Sequence, residues 1–261
     1  MGKLLRHWRR ERRLSQLALA LAAGTTSRHL SFVESGRSQP SREMVLRLAR
    51  VLDVPIRERN QLLLAAGYAP LYRETGLAAE EAAQVQSALE RMLTSHEPYP
   101  AVVMDRHWNV VTTNQAAKAF FGWLLGGREL SEPANVIRLM FDPDGIRPHI
   151  TNWEAAADAL LQRVHREAVG GIPDPTTVAL LEEALAYSGV PAEWRVPDFS
   201  SPPLPVVPIE FARDGLALSY FSTVTTLSTP QDAMLQETRL ESFFPADDTT
   251  TRHTWNATGA R

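Results

Sequence analysis

Apolar residues recur with helical spacing from the start of the chain to Gly67, as Leu5 and Trp8 illustrate. Residues that favour helix starts and turns separate these helical runs, and Gly24 gives the backbone freedom for a tight turn between the second and third runs. Five short helices with such a turn predict a helix-turn-helix bundle. The predicted start and end signals are Ser15, Thr25 or Thr26, Ser35 with Gly36, Ser41, Pro55 and Gly67.

The chain beyond Gly67 mixes helical runs with short alternating ones. A connecting helix is predicted from about Ala79 to Thr94, followed by a hairpin of two strands that turns at Asp105. After several helices, paired strands turn at Asp214, and "TRLESFFPAD" forms a last strand. Two strands, several helices and three strands predict an antiparallel sheet with the helices gathered on one side. The second part of the chain is therefore expected to be an α+β domain.

Helices of this second part have their own start signals. Asn114 precedes the helix "QAAKAFFGWLL", and Asp174 precedes a proline at the first position of another helix. Thr151 and Glu154 predict a capping box in front of a further helix. The expected domains are residues 1–73 for the all-α helix-turn-helix domain, 74–97 for the connecting helix and linker, 98–247 for the α+β domain, and 248–261 for a flexible polar tail.

The net charge of −3 conceals two parts of opposite sign. Residues 1–73 carry 14 Lys and Arg against 5 Asp and Glu, a charge of +9, whereas the remainder carries 13 against 25, a charge of −12. A basic block suits a polyanion, because each neutralised phosphate releases condensed counterions. On charge alone, a merely solvated face is an equal alternative. The helix-turn-helix periodicity favours the polyanion.

Composition narrows the class of protein further. No run approaches the roughly 18 apolar residues of a membrane span, and "GKLLRHWRRERR" lacks the apolar block of a signal peptide. A cytoplasmic protein without a membrane span is expected. The chain has no cysteine, which excludes disulfides and thiolate zinc sites.

Catalytic motifs are missing from the sequence. No GxSxG, GxGxxG or phosphate-binding GxxxxGK[ST] motif occurs, and the seven histidines form no HxxxH or HxH pair. The chain is therefore not expected to be an enzyme or to require a cofactor. A metal or haem iron held by His149 and His165 remains the alternative.

The stretch "LSQLALALAAGTTSRHLSFVESGRSQPSREMVLRLARVLDV" resembles the DNA-binding domain of lambda-repressor-like, XRE-type regulators. The likeness rests on Gln16 at the start of the second helix, on Gly24 in the turn, and on Glu34 with Gly36 and Arg37 after the third helix. The resemblance implies that the third helix enters the major groove of a double-stranded DNA operator, with its first residues at the base edges.

The same resemblance implies roles for single residues. Gln16, Arg37 and Ser38 are expected to hold phosphates. Arg28 is the expected base reader, because a guanidinium can meet guanine O6 and N7 bidentately. Ser27 stands where the family often has glutamine, which leaves the preferred base at that step open. Thr26 and Ser27 also suit helix capping, which is compatible with base contact. Base contacts are expected for Thr26, Ser27, Arg28 and Ser31.

Two further stretches, "VMDRHWNVVTTNQAAKAFFG" and "TVTTLSTPQDAMLQETRLESFFPADD", resemble the ligand-binding domain of MmyB-like transcription regulators. The resemblance implies a bacterial transcription regulator at the nucleoid, with a PAS-like domain that binds a fatty acid or similar small hydrophobic ligand. A homodimer is expected to bind two half-sites about one helical turn apart. The ligand is expected to change how the connecting helix spaces the two DNA-binding domains.

A curled sheet of this kind lines its cavity with aromatic and aliphatic side chains, although each such residue also suits plain core. Arg163 is the expected partner of a carboxylate head group, with Arg147 and His149 as alternatives. The expected ligand-binding residues are Trp108, Phe120, Phe121, Met140, Phe141, Trp153, Leu160, Arg163 and Tyr220. The alternative function is a domain that only dimerises or docks a protein partner, which predicts a tightly filled interior.

Overall fold

The computed structural model describes residues 1–72, 79–128, 132–169, 174–196, 208–227, 232–253, 255–256 and 259–260. The described chain separates into two compact units. The first contains residues 1–72, and the second contains nearly all of the described residues from Ala79 onward. The two-domain organisation predicted from the sequence is confirmed. None of the described helices combines the length and the apolar composition needed to cross a membrane.

Residues 1–72 form five helices around one apolar core. The predicted start signals act as caps, since the hydroxyl oxygens of Ser15, Thr26 and Ser41 accept backbone N–H hydrogen bonds at 3.0, 3.1 and 3.2 Å. Gly24 has a φ of +64°, which glycine adopts without steric cost. The predicted helix-turn-helix bundle is confirmed. Its helices are α1 (Gly2–Glu11), α2 (Gln16–Ala22), α3 (Ser27–Glu34), α4 (Arg42–Val51) and α5 (Ile56–Ala65).

The described chain from Ala79 onward combines helices with an antiparallel sheet. Its elements are α6 (Ala79–Ser95), β1 (Ala101–Met104), β2 (Val110–Thr113), α7 (Gln115–Leu125), α8 (Val136–Phe141), α9 (Trp153–Val169), α10 (Pro175–Ala186), β3 (Ile209–Arg213), β4 (Leu216–Thr226), α11 (Ala233–Glu237), β5 (Arg239–Pro245), α12 (Asp248–Arg252), β6 (Trp255–Asn256) and β7 (Gly259–Ala260). Single 3-10 turns lie at Arg147–His149 and Ala192–Arg195.

The first five strands form one curled sheet in the order β2-β1-β5-β4-β3. Every neighbouring pair is antiparallel. The hairpin β1–β2 and the hairpin β3–β4 therefore meet only through β5, which is the central strand. The predicted antiparallel sheet and the predicted α+β class are confirmed. The turn between β3 and β4 falls at Asp214 and Gly215, which have φ values of +50° and +80°.

Two of the three predicted caps in this part are observed, and one is wrong. Asn114 Oδ1 accepts the Ala117 N–H at 2.9 Å, and Asp174 Oδ2 accepts the Thr177 N–H at 3.0 Å. The predicted capping box at Thr151 does not form, because α9 begins only at Trp153. The Thr151 hydroxyl instead donates to Glu210 Oε2 at 3.2 Å, so it joins the start of α9 to β3.

The sheet of the second unit has apolar side chains on both faces. On the inner face, Val102 and Phe243 belong to the large core that the sheet shares with α7, α8 and α9. On the outer face, Val103 and Leu240 pack with Leu93 of α6 in a smaller core. The helix expected to be a separate connector is thus part of the second unit, because its apolar stripe needs the outer face of β1 and β5 for burial.

The tail from residue 248, which the sequence predicts to be flexible, contains a short helix and a buried tryptophan. Asp247 caps α12 through a hydrogen bond from the Thr250 N–H at 2.7 Å. Beyond α12, Trp255 is only 1% exposed, and its Nε1 donates to the Tyr220 hydroxyl at 3.0 Å. Burial of the Tyr220 side chain raises the pKa of its hydroxyl to about 12. Trp255 therefore packs this segment against the core, and the Ser219 N–H also donates to the buried Thr250 hydroxyl at 2.8 Å.

Replacing Trp255 by Ala should lower the free energy of unfolding of the second unit by about 3–5 kcal/mol, because it removes a fully buried aromatic side chain. Urea denaturation followed by circular dichroism measures this change. The matched control is Thr249→Ala, at an exposed position on α12, for which a change within about 0.5 kcal/mol is expected. Similar losses in both variants would show that Trp255 does not anchor the segment.

Candidate functional site

A buried carboxylate fixes the start of the helix-turn-helix. The side chain of Glu34 is fully buried and accepts hydrogen bonds from Arg9 Nε at 2.6 Å and from Gln16 Nε2 at 2.8 Å. Arg6 Nε lies 3.4 Å from the same carboxylate. Burial alone raises the pKa of Glu34, but the surrounding donors and the charge of Arg9 outweigh it, so the pKa is lowered from its ordinary value. α1, α2 and α3 are therefore tied together by one acid.

The first half of α3 presents the residues predicted to read DNA. Ser27 and Arg28 are exposed and Ser31 is half-buried, while the Thr26 hydroxyl oxygen caps the helix. The Arg28 guanidinium lies 5.6 Å from the centre of the Phe32 ring and has no ion-pair partner among residues 1–72. Its charge is therefore available to an external acceptor.

The residues predicted to hold phosphate lie in two places. Arg37 is exposed and Ser38 half-buried in the loop after α3, and their backbone N–H groups both donate to the Phe32 carbonyl, at 2.8 and 3.2 Å. Gln16 is half-buried, and its amide nitrogen is directed to Glu34. The phosphate contact expected of Gln16 would therefore use the second N–H of this amide or the backbone N–H at the start of α2.

The inner face of the sheet and helices α7, α8 and α9 line a cavity of about 1390 Å³ that is partly open to solvent. Typical small-molecule pockets measure about 300–1,000 Å³, so the volume suits a ligand of substantial size. The wall is mainly aliphatic and aromatic. Its apolar residues include Val102, Phe121, Leu125, Leu139, Met140, Ile146, Leu160, Ile209, Phe211 and Phe243.

A small polar group interrupts this apolar wall. Ser222 on β4 and Glu241 on β5 line the cavity, and the Ser222 hydroxyl donates to Glu241 Oε1 at 2.5 Å. Burial raises the pKa of Glu241 more than the Ser222 hydrogen bond and the charges of Arg163 and Arg239 lower it. The cavity therefore contains a carboxyl group that is more easily protonated than an ordinary glutamate.

Arg163 lines the cavity beside this carboxyl group, and its guanidinium contacts Glu167 and Trp108. Its Nε lies 3.3 Å from Glu167 Oε1, and Arg239 Nη2 lies 3.1 Å from Glu167 Oε2. Both guanidinium groups lie over the ring of Trp108, at 4.9 and 5.0 Å from its centre. Trp108 has a φ of +66°, an uncommon conformation for a tryptophan. The buried ring and Glu167 together fix the direction of Arg163.

Exposed charged side chains also line the cavity, and we refer to them as the rim. They are Lys118 on α7, Arg128 just after α7, and Glu132. Gly122 of α7 also lines the cavity, and a Cβ atom placed there would meet no other atom within 4 Å. The described side chains of the rim are thus two cations and one anion, and there is free space beside Gly122.

The cavity wall includes four of the nine residues predicted to bind a ligand, namely Phe121, Met140, Leu160 and Arg163. The other five lie outside the wall, in the packed core. Phe120 contacts the rings of Phe211 and Tyr220, and Trp153 Nε1 donates to the Met140 carbonyl at 2.8 Å. These five are Trp108, Phe120, Phe141, Trp153 and Tyr220.

The alternative anchors for a head group have structural partners. The Arg147 guanidinium lies 3.7 Å from the Trp153 ring centre and donates to the Ser188 carbonyl at 2.6 Å, away from the cavity wall. His149 also lies outside that wall. His165 Nε2 lies 3.0 Å from the Trp194 carbonyl. Within the described ranges, no group of three or more His, Cys, Asp or Glu residues is placed to hold a metal ion.

Ser222, Glu241 and the rim cations are candidate ligand contacts that the sequence motifs do not predict. A signal for Glu241 exists, because Arg239 and Glu241 place two charged side chains on one face of a strand, whereas inward positions are usually apolar. "RLESFFP" does not reveal which positions face inward, since Phe243 and Phe244 are adjacent and only one of them can share the face of Glu241.

The chain has recognisable relatives at the level of families. Residues 85–254 match the family described as the MmyB-like transcription regulator ligand binding domain, and residues 5–59 match the helix-turn-helix family. No curated protein is significantly similar to the chain. Among solved structures, an RNA-binding light-oxygen-voltage receptor matches with 12% identity and a TM-score of 0.28. That match covers 94% of this chain, which spans 58% of the length of the receptor chain.

Replacing Glu34 by Gln should lower the free energy of unfolding of the first unit by about 1–3 kcal/mol, because charged hydrogen bonds to Arg9 and Gln16 are weakened. Because folding lowers the pKa of Glu34, its contribution is present above its unfolded pKa and is lost as pH falls through the lower folded value. The difference between wild type and variant should therefore shrink in acid.

Urea denaturation across a pH series measures this difference. Glu11→Gln is the matched control, because Glu11 is exposed at the end of α1. An equal loss in the control, or a difference that is unchanged in acid, would contradict the role of Glu34.

Proposed function

The chain belongs to the MmyB-like transcription regulators, and from this premise we propose that it is a bacterial regulator whose PAS-like domain binds a fatty acid or similar hydrophobic ligand and thereby controls DNA binding. That it is a DNA-binding transcription regulator with a ligand-binding domain follows from the two family matches. The ligand class, the PAS-like description, the homodimer and the location at the nucleoid are parts of the proposal.

The DNA side of the proposal is supported by α3. Its exposed Arg28 is a suitable reader of guanine, and Thr26, Ser27 and Ser31 lie beside it at the start of the helix. Arg37 and Ser38 follow in a loop that suits a phosphate contact. Two copies in a homodimer would read half-sites about 34 Å apart, one turn of B-DNA.

The ligand side rests on one observation, the mainly apolar cavity of about 1390 Å³ between the sheet and its helices. A domain that only dimerises or docks a protein has no need of such a volume, because protein interiors are otherwise closely packed. The aliphatic wall favours an acyl chain over a sugar, and the positive rim suits a carboxylate head group.

The two faces of the sheet suggest how a ligand acts on the rest of the protein. Glu241 and Phe243 on β5 line the cavity, whereas Leu240 on the same strand packs on α6. α6 follows the DNA-binding unit in the chain. A ligand that packs against the inner face and displaces these strands would therefore also displace the surface on which α6 packs. A tenfold difference in ligand affinity between two states supplies about 1.4 kcal/mol of coupling.

Replacing Arg28 by Ala should weaken binding to the preferred operator by about 1–3 kcal/mol and relax the base preference at one step of each half-site. Replacing Arg37 by Ala should weaken binding to all sequences alike and reduce the salt dependence. Selection from a randomised duplex library, followed by fluorescence anisotropy at several salt concentrations, separates the two effects. Unchanged specificity in the Arg28 variant would remove this residue as the base reader.

Acyl binding is tested by solvent extraction of the purified protein with mass spectrometry, and by the rise in melting temperature when fatty acids are added. Replacing Gly122 by Trp should weaken fatty acid binding about tenfold or more, because the ring occupies free space in the cavity wall. Gly122→Ala is the control, and it should keep the affinity while stabilising α7 by about 0.8–1 kcal/mol. An extract without lipid, together with no melting shift, would contradict the acyl ligand.

A further inference from the structure

One part of the cavity wall does not suit a plain hydrocarbon chain. Glu241 occupies an inward position of the central strand, paired across the sheet with Val102 and Val224. Its Oε1 accepts the Ser222 hydroxyl at 2.5 Å, whereas its Oε2 has no hydrogen-bond partner within the described part of the chain. Covering an unpaired carboxyl oxygen with methylene groups costs free energy. A ligand that fills the cavity is therefore favoured if it brings a hydrogen-bond donor to this oxygen.

The charges around Glu241 restrict the chemistry of that donor. Arg163 lines the same cavity, and Arg239 stands at the next inward position of β5. An ammonium group would be repelled by these two cations, and Glu167 already contacts both of them. A ligand carboxylate at this point would instead meet the carboxyl group of Glu241. An uncharged hydroxyl avoids both repulsions, because it donates one hydrogen bond and remains a weak acceptor for an arginine.

The rim has the complementary chemistry. Among the residues that the structure describes at the rim, the exposed Lys118 and Arg128 outnumber the acid Glu132. A ligand carboxylate at the rim keeps part of its hydration and gains two cations, so it has no large desolvation cost. The cavity therefore offers one place for a negative head group and a second place, on the sheet, for a neutral donor.

We infer that the ligand is a hydroxylated acyl chain, with its carboxylate at Lys118 and Arg128 and its chain hydroxyl donating to Glu241. This inference rests on the proposed function, since it presupposes an acyl ligand. It makes Glu241 the residue that selects hydroxylated chains over plain ones, and Ser222 the residue that holds the Glu241 carboxyl group in place.

Two matched pairs of acids test the inference, ricinoleic against oleic acid and β-hydroxymyristic against myristic acid. Their affinities for the delipidated full chain are measured by displacement of a fluorescent fatty acid. In at least one pair, the hydroxylated acid should bind about tenfold more tightly, because it alone pairs the free carboxyl oxygen. Glu241→Leu should abolish this preference and bind the plain acid at least as tightly as wild type does.

Two further variants keep the test decisive. Glu241→Gln is nearly isosteric and folds even if the Leu variant does not, and it should reduce the preference about threefold, because a neutral amide is a weaker acceptor than a carboxylate. Glu154→Leu removes an exposed acid of α9 outside the cavity wall and should keep the wild-type preference.

The outcomes are distinguishable. Equal affinities within both pairs, or a preference that survives Glu241→Leu, would overturn the inference and leave an acyl-binding regulator in place. Failure of all four acids to bind would overturn it together with the proposed function. Tighter binding of the plain acids at lower pH, in wild type but not in Glu241→Gln, would show that Glu241 shares a proton with the head group, which also overturns the inference.

Discussion

The second unit depends on the alternation of side chains along two neighbouring inner strands of its sheet, β1 and β5. Successive residues of a strand point to opposite faces, so Val102 and Phe243 line the cavity while Val103 and Leu240 pack on α6. The ligand space and the helix that follows the DNA-binding unit are therefore separated by a single layer of backbone. Because β5 is paired on both sides, a displacement of its backbone moves the side chains of both faces together.

Two carboxylates show how the same side chain serves structure in one unit and recognition in the other. Glu34 is surrounded by donors on α1 and α2, which lower its pKa and leave it no capacity for an external partner. Within the described residues, Glu241 accepts a hydrogen bond from the Ser222 hydroxyl at one oxygen, and burial raises its pKa. The first is a completed ion-pair cluster that orients α3. Glu241 has one carboxyl oxygen without a partner among the described residues, and carboxyl groups with shifted pKa values of this kind are frequent at ligand sites.

Local signals made most of the fold predictable, whereas the cavity depended on distant contacts. Caps such as Ser15 and Asn114 act within three residues, so they can be identified in the sequence, as can the strands and their antiparallel pairing. Trp108 looked like a ligand wall by its type, but a left-handed backbone and two arginines from α9 and β5 place it behind the wall. Thr151 fitted a capping pattern, yet a strand more than fifty residues later, at Glu210, takes its hydroxyl. No local pattern contains that information.

The central position of β5 also determines when the sheet can be completed during synthesis, because β5 is the last of its five strands in the chain. The hairpins β1–β2 and β3–β4 leave the ribosome before the strand that joins them, since β5 begins only at Arg239. Until then, both nascent hairpins have unpaired inner edges, which are prone to association with other chains. The helical N-terminal unit, built from local contacts, has no such delay. Biosynthesis therefore exposes the regulator's ligand-binding half to chaperones and to misassembly for longer than its DNA-binding half.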